Sequence, residues 1–231
     1  MVSISADGAK VCERTSDLQS AVRNLPWQVV LASASPRRSD LLRELVEEFI
    51  VDPAHVDEDA LTEPDPWVTA QRLAREKALV VFDRHPNSLV IGGDTVVAFP
   101  KDGNWDNVEM PLERKETSWV QLGKPENEAD AKFILESLSG QKHVVVTGVC
   151  LVWPGGFAAF TETTYVTFKP MGDQEIAAYI ATGEPMDKAG AYGFQGGARP
   201  FVQRVEGSVS NVIGLPLERL EETLRDLMKR S

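Results

Sequence analysis

The chain has 231 residues, 24 basic against 35 acidic, for a formal net charge of −11; hydrophobic residues make up 42% and charged residues 26%. This balance excludes wholesale disorder and a collagen-like chain, and no apolar run reaches the span of a bilayer. So acidic a protein also excludes broad binding to a nucleic-acid polymer, and any anion site must gather Arg and Lys locally.

A chain of this size buries roughly 70% of its unfolded surface and builds its own core without staples. Its two cysteines, Cys12 and Cys150, lie far apart without metal-ligand spacing, which fits a reducing, cytoplasmic setting. Residues 1–24 are polar, carry Asp7, Glu13 and Asp17, and lack the apolar core of a signal peptide. They read as an N-terminal extension, loosely ordered or a short extra helix, ahead of one domain over 25–231.

Trp27 to Ala32 is rich in β-branched and apolar residues and reads as a strand. A helix follows, with Ser35 as N-cap, Pro36 at its first position, and Leu41, Leu42, Leu45 and Val46 as its buried stripe. A short strand from Glu48 to Val51 and a polar loop around Val56 to Asp59 come next. Asp65-Pro66 opens a second helix with Trp67, Ala70, Ala74, Ala78 and Val81 on one face. Leu89 to Ile91 and Val96 to Phe99 flank Gly92-Gly93-Asp94-Thr95, a buried strand with a polar interruption.

Residues 100–122 read as a long hairpin or inserted loop. A third helix runs from Asn127 to Leu138. Val144 to Trp153 and Phe157 to Phe168 are strands joined by Pro154-Gly155-Gly156. Asp173 is expected to cap a short helix ending at Gly183, ahead of a glycine-rich loop to Gly197 and a strand from Phe201 to Val205. The last helix, Leu215 to Met228, places Leu217, Leu220, Leu224 and Leu227 at core spacing. Interleaved helices and strands make the class α/β.

Five segments carry chemistry. Ser33-Ala34-Ser35-Pro36-Arg37-Arg38 joins a strand end to a helix start bearing two arginines. Cations there oppose the helix dipole, so the run makes sense with an anion on the free N–H groups. Asp94, a carboxylate inside an apolar strand, costs several kcal/mol of desolvation unless paired or solvated. It holds a metal, deprotonates a water, does both, or caps a turn, and the glycines before it let a ligand approach the backbone. Asp57-Glu58-Asp59 is either a solvated acidic loop or a source of hard oxygen ligands, with Glu58 and Asp94 converging on one ion. Lys77, in Arg75-Glu76-Lys77, and Lys124, in Gly123-Lys124-Pro125, are surface lysines or the countercharge of a polyphosphate. Gly183 to Gly196 is an ordered loop whose Gln195 amide offers both donor and acceptor, suited to a base edge. His55, His85 and His143 lack metal-ligand spacing, and no phosphate-loop, dinucleotide-binding or nucleophile-elbow motif is present.

Taken in order, Leu31-Ala32-Ser33-Ala34-Ser35-Pro36-Arg37-Arg38, Asp57-Glu58, Arg75-Glu76-Lys77-Ala78, Gly93-Asp94-Thr95-Val96-Val97, Gly123-Lys124-Pro125, Thr147-Gly148-Val149, the Gly183–Gly196 loop and Asn211-Val212-Ile213-Gly214-Leu215-Pro216 resemble the Maf family of nucleoside triphosphate pyrophosphatases. The resemblance spans roughly residues 27–228. It implies an elongated two-lobed α/β fold around a mixed β-sheet, with a central cleft. It also implies metal-dependent hydrolysis of a nucleoside triphosphate to monophosphate and pyrophosphate, with Mg²⁺ or Mn²⁺ as cofactor. Asp94 matches the general base, and Glu58 with Asp94 the metal ligands. Arg37, Thr95 and Gln195 match positions that tune base choice, in the set associated with dTTP and UTP, modified pyrimidine forms included. Ser33, Arg38, Lys77 and Lys124 fall on phosphate-facing cleft positions, and family members commonly form homodimers. The rival reading is a nucleotide-sensing regulatory protein with little catalysis. The chain departs from the family pattern in its N-terminal extension and in the length of residues 100–122, which hold Trp105 and Trp119 and either cover the cleft, form a partner surface or pack as a surface hairpin.

Overall fold

The computed structural model describes residues 18–105 and 117–229. One mixed sheet forms the frame. Its strands are β1 (Gln28–Leu31), β2 (Ile50–Val51), β3 (Ser88–Pro100), β4 (Trp119–Leu122), β5 (Lys142–Trp153), β6 (Gly156–Phe168) and β7 (Val202–Glu206), ordered β2-β1-β3-β5-β6-β7, with β4 also on β3. β1 runs parallel to β2 and β3, and the other pairings are antiparallel.

The helices are α1 (Pro36–Leu45), α2 (Glu58–Leu61), α3 (Pro66–Arg84), α4 (Glu128–Leu138), α5 (Asp173–Ile180), α6 (Val209–Ile213) and α7 (Leu217–Met228). α1 and α3 start where an oxygen-bearing cap precedes a proline. Ser35 accepts from the Arg38 N–H, and Asp65 from those of Trp67 and Val68. α4 starts one residue after Asn127, whose side chain caps it by accepting from the Asp130 N–H.

The pleat of β3 sorts its side chains onto two faces. Leu89 and Ile91 join one core with Leu41, Leu42 and Leu45 of α1 and Leu220, Leu224 and Leu227 of α7; Leu18 and Val22, in the helical stretch 18–23, are buried in the same cluster. Further along that face, Val97 packs with Ile134 and Leu138 of α4 and Ile176 of α5. On the opposite face, Val90, Val96 and Ala98 meet α3 through Ala70, Ala74, Ala78 and Val81.

Several details differ from the sequence expectations. The short helix after residue 170 has Gly172, not Asp173, as N-cap, because the Glu175 carboxylate reaches back to accept the Gly172 N–H at 2.9 Å; it ends at Ile180, not Gly183. The polar loop near Asp57 holds the one-turn helix α2, capped by Asp57. The final helix begins at Leu217, and α6, capped by Ser208, precedes it. Of the long segment 100–122, residues 106–116 lie outside the described residues. Its two ends pack inward, with Trp119 edge-on to Trp67 at 5.0 Å and Trp105 edge-on to Tyr165 at 5.9 Å.

Candidate functional site

β1 covers one edge of β3 at residues 88–91, and β4 covers the same edge at residues 97–100. Between them, residues 92–96 pair with β5 alone. A cleft of about 660 Å³ opens at this gap, so residues from both faces of β3 reach one cavity. Its lining includes Ser33, Arg37, Arg38, Glu58, Lys77, Asp94, Thr95, Lys124 and Gln195, brought from six segments of chain. Asp187 and Lys188 also line it; they stand in the glycine-rich loop, but sequence reasoning assigned them no part.

Asp94 points to the α3 face. It is 8% exposed, and its Oδ1 accepts from Lys77 Nζ at 2.7 Å. The same ammonium lies 2.6 Å from Glu58 Oε1. Two carboxylates thus converge on one cation, Asp94 deep and Glu58 half-exposed at the rim. Burial pushes the Glu58 carboxyl up, but the Lys77 hydrogen bond and charge, with Lys124 and Arg38 further off, outweigh it and hold the group below the usual range.

α3 lies close enough for this contact because the sheet beneath it has no side chains at two points. A Cβ on Gly92 would run into the Ala74 carbonyl oxygen and come within 2.7 Å of the Ala78 nitrogen; one on Gly148 would run into the Ala70 carbonyl oxygen. Gly92 therefore admits a helix backbone and not, as expected from sequence, a ligand. Gly93 faces the other way, toward Arg38.

Thr95 points to the α1 face, where Arg38 is held at three points. Its Nε donates to Gly214 O at 2.8 Å, Nη1 to Ser33 Oγ at 3.1 Å and Nη2 to Thr95 Oγ1 at 3.0 Å. Burial lowers the Arg38 pKa, against the opposing pull of Asp94. Three of the five guanidinium N–H groups are committed to the protein, and two are left for a ligand. Arg37, one residue earlier, instead crosses the cleft to Asp187 Oδ2 at 3.1 Å.

The loop bearing Gln195 is braced from within. Tyr179 Oη donates to Glu184 Oε1 at 3.0 Å and accepts from the Gly193 N–H at 2.9 Å, while the Gly197 N–H donates to Glu184 Oε2 at 2.9 Å. A Cβ on Gly193 or Gly196 would run into the Glu184 carboxylate, which explains the glycines. The site gathers five cations (Arg37, Arg38, Lys77, Lys124, Lys188) among four carboxylates (Glu58, Asp59, Asp94, Asp187) in an acidic molecule. The charge pattern suits a polyanion accompanied by a hard cation.

A dTTP/UTP pyrophosphatase from Koribacter versatilis (strain Ellin345) is 47% identical over 202 residues, covering 87% of this chain and 95% of that one. Another from Geobacillus sp. (strain WCH70) is 44% identical over 202 residues, covering 87% and 97%. Among solved structures, a HAM1 protein from Coxiella burnetii aligns over 87% of this chain and 99% of its own at TM-score 0.44 and 14% identity, a likeness too distant to carry an argument. The family model described as "Maf-like protein" matches residues 28–227, from the first residue of β1 to the last turn of α7, and over that span the chain belongs to the Maf-like protein family.

Proposed function

We propose that the protein hydrolyses nucleoside triphosphates, dTTP and UTP above others, to the monophosphate and pyrophosphate. The observation that carries this reading is Asp94, a carboxylate kept close to a lysine deep in a cleft whose opposite wall holds Arg38 with two N–H groups to spare. The printed names of the relatives, dTTP/UTP pyrophosphatases, support the nucleotide class.

In this reading Asp94 is the general base that takes a proton from the attacking water, and Lys77 holds it in orientation. Arg38, with Ser33 behind it, binds the polyphosphate, and Lys77 and Lys124 balance its charge. Cleavage between the α and β phosphorus atoms then rests on placement and on fixed charge, with little covalent chemistry asked of the protein. Arg37, Thr95 and Gln195 face the base.

The donor set fits Mg²⁺ or Mn²⁺. Glu58 and Asp94 are hard oxygen donors already converging on one cation, and such ions commonly take one or two carboxylates and fill the rest of their shell with phosphate and water. No group of three or more His, Cys, Asp or Glu among the described residues forms a protein-only cage. When bound, the ion would neutralise phosphate charge. We place the reaction in the cytoplasm, on free nucleotide.

The test is pyrophosphate release from a panel of triphosphates, with and without divalent metal. Turnover of UTP and dTTP with kcat/KM above that of the purine nucleotides is expected. Tight nucleotide binding without pyrophosphate would overturn the hydrolase reading in favour of a sensor.

A further inference from the structure

Behind Thr95 lies a second threonine that is not itself part of the cleft lining. Thr147, on β5, is fully buried and pairs in register with Thr95. Its Oγ1 lies 3.0 Å from Thr95 Oγ1 and 3.1 Å from the backbone oxygen of Asn211. Asn211 is itself fully buried, its amide donating to Val145 O at 3.1 Å and Thr164 Oγ1 at 3.0 Å.

Each hydroxyl has one hydrogen, and this fixes the direction of every bond. The Asn211 carbonyl can only accept, so Thr147 donates to it. Thr147 therefore accepts from Thr95, whose only hydrogen is thereby used. Arg38 can only donate, and Thr95 meets it with a lone pair. The chain runs one way: Arg38 to Thr95 to Thr147 to Asn211.

We infer that Thr147 is a positioning residue for nucleotide binding, acting through the Thr95 hydroxyl to hold the Arg38 guanidinium. Without the Thr147 hydroxyl, the Thr95 proton loses its acceptor and is free to rotate toward Arg38, where it opposes a second donor. The same loss unties the Asn211 carbonyl in α6, three residues before the Gly214 carbonyl that holds Arg38 Nε. Two of the three supports of the guanidinium, Thr95 and Gly214, thus lean on one buried oxygen. The inference rests on the proposed reading only in taking a nucleoside triphosphate as the ligand.

Two substitutions separate hydrogen bonding from packing. Thr147→Val keeps the shape and removes the hydroxyl; Thr147→Ser keeps the hydroxyl and removes a methyl. The affinity of each for a UTP analogue with NH bridging the α and β phosphorus atoms is measured by calorimetry, beside KM and kcat for UTP. Thr147→Val is expected to weaken analogue binding about three- to tenfold, the size of one lost hydrogen bond, and to raise KM similarly with kcat little changed. Thr147→Ser is expected to stay near the parent, even though it loses the methyl and melts lower. Equal affinities in the two variants, or weaker binding in Thr147→Ser than in Thr147→Val, would overturn the inference. Analogue binding is read without turnover, so an absence of pyrophosphate release from the parent protein would defeat the hydrolase reading and leave this test standing.

Discussion

Arg37 and Asp187 stand 150 residues apart in the chain and meet across the cleft at 3.1 Å. Asp187 is shared: its second oxygen takes Lys188 Nζ at 2.6 Å. Burial raises the Asp187 carboxyl, but Lys188 and Arg37 more than offset this and hold it low. The pair links the first turn of α1 to the loop carrying Gln195. With 62% of the Asp187 side chain exposed, it contributes little to global stability. Asp187→Ala is therefore expected to shift the melting temperature by no more than about 3 °C, while speeding amide hydrogen exchange over residues 188–197. Unchanged exchange there would show that the loop stands without the link.

Asp94→Asn is expected to lower kcat for UTP by about 10²–10⁴ with the fold intact, since Lys77 keeps Glu58 as partner. Lys77→Met should do the opposite to stability. It leaves two facing carboxylates without their cation, and urea denaturation is expected to show a loss of about 3 kcal/mol, the lower end for a broken buried pair because Glu58 is half-exposed. EDTA is expected to abolish pyrophosphate release, and Glu58→Gln to raise the metal concentration needed for half-maximal rate. Full activity of Glu58→Gln at limiting metal would remove Glu58 from the metal site.

Gly148→Ala tests the seating of α3. The added methyl meets the Ala70 carbonyl, a rigid part of the helix backbone, so the helix must move. Overpacking of this kind costs about 1–3 kcal/mol. Because α3 also carries Lys77 opposite Asp94, kcat is expected to fall alongside the denaturation midpoint. A variant with parental kcat would mean that the Lys77–Asp94 contact tolerates a displaced helix.

His143 sets an acid limb. It is fully buried, with Nε2 2.9 Å from Tyr192 Oη, and burial pushes its pKa down from 6.5 to about 3. Below pH 6.5 the unfolded chain therefore takes up a proton that the folded chain refuses. Stability is expected to fall as pH drops from 6.5 toward 3, by about 1.4 kcal/mol per unit. His143→Phe should flatten this slope between pH 6.5 and 5, above the range where carboxylates contribute, although it leaves Tyr192 Oη without its partner and lowers stability at pH 7. Parallel slopes in urea denaturation across that window would show that His143 is protonated in the folded state.

Much of the architecture was legible because its signals act within a few residues. Ser35-Pro36 and Asp65-Pro66 each announce a helix, since a cap oxygen and a ring without an N–H work inside one turn. The alternation around Asp94 reads as a buried strand, and β3 runs unbroken through it. The one-turn helix at Glu58 fell below the window in which periodicity can be seen. The cap at Gly172 was hidden for another reason: a glycine offers no side chain, and the acceptor comes from Glu175.

The sequence alone determined which residues could carry charge into a site, where α1 and α3 begin, and that a carboxylate sits in the middle of an apolar strand. Only the tertiary structure decided who meets whom. Asp94 finds Lys77, Thr95 finds Arg38 and Thr147, and Arg37 finds Asp187, because the pleat of β3 sends neighbouring side chains to opposite faces and the gap between β1 and β4 opens both faces to one cleft. Those pairings depend on distances between segments far apart in the chain, and no local periodicity encodes them.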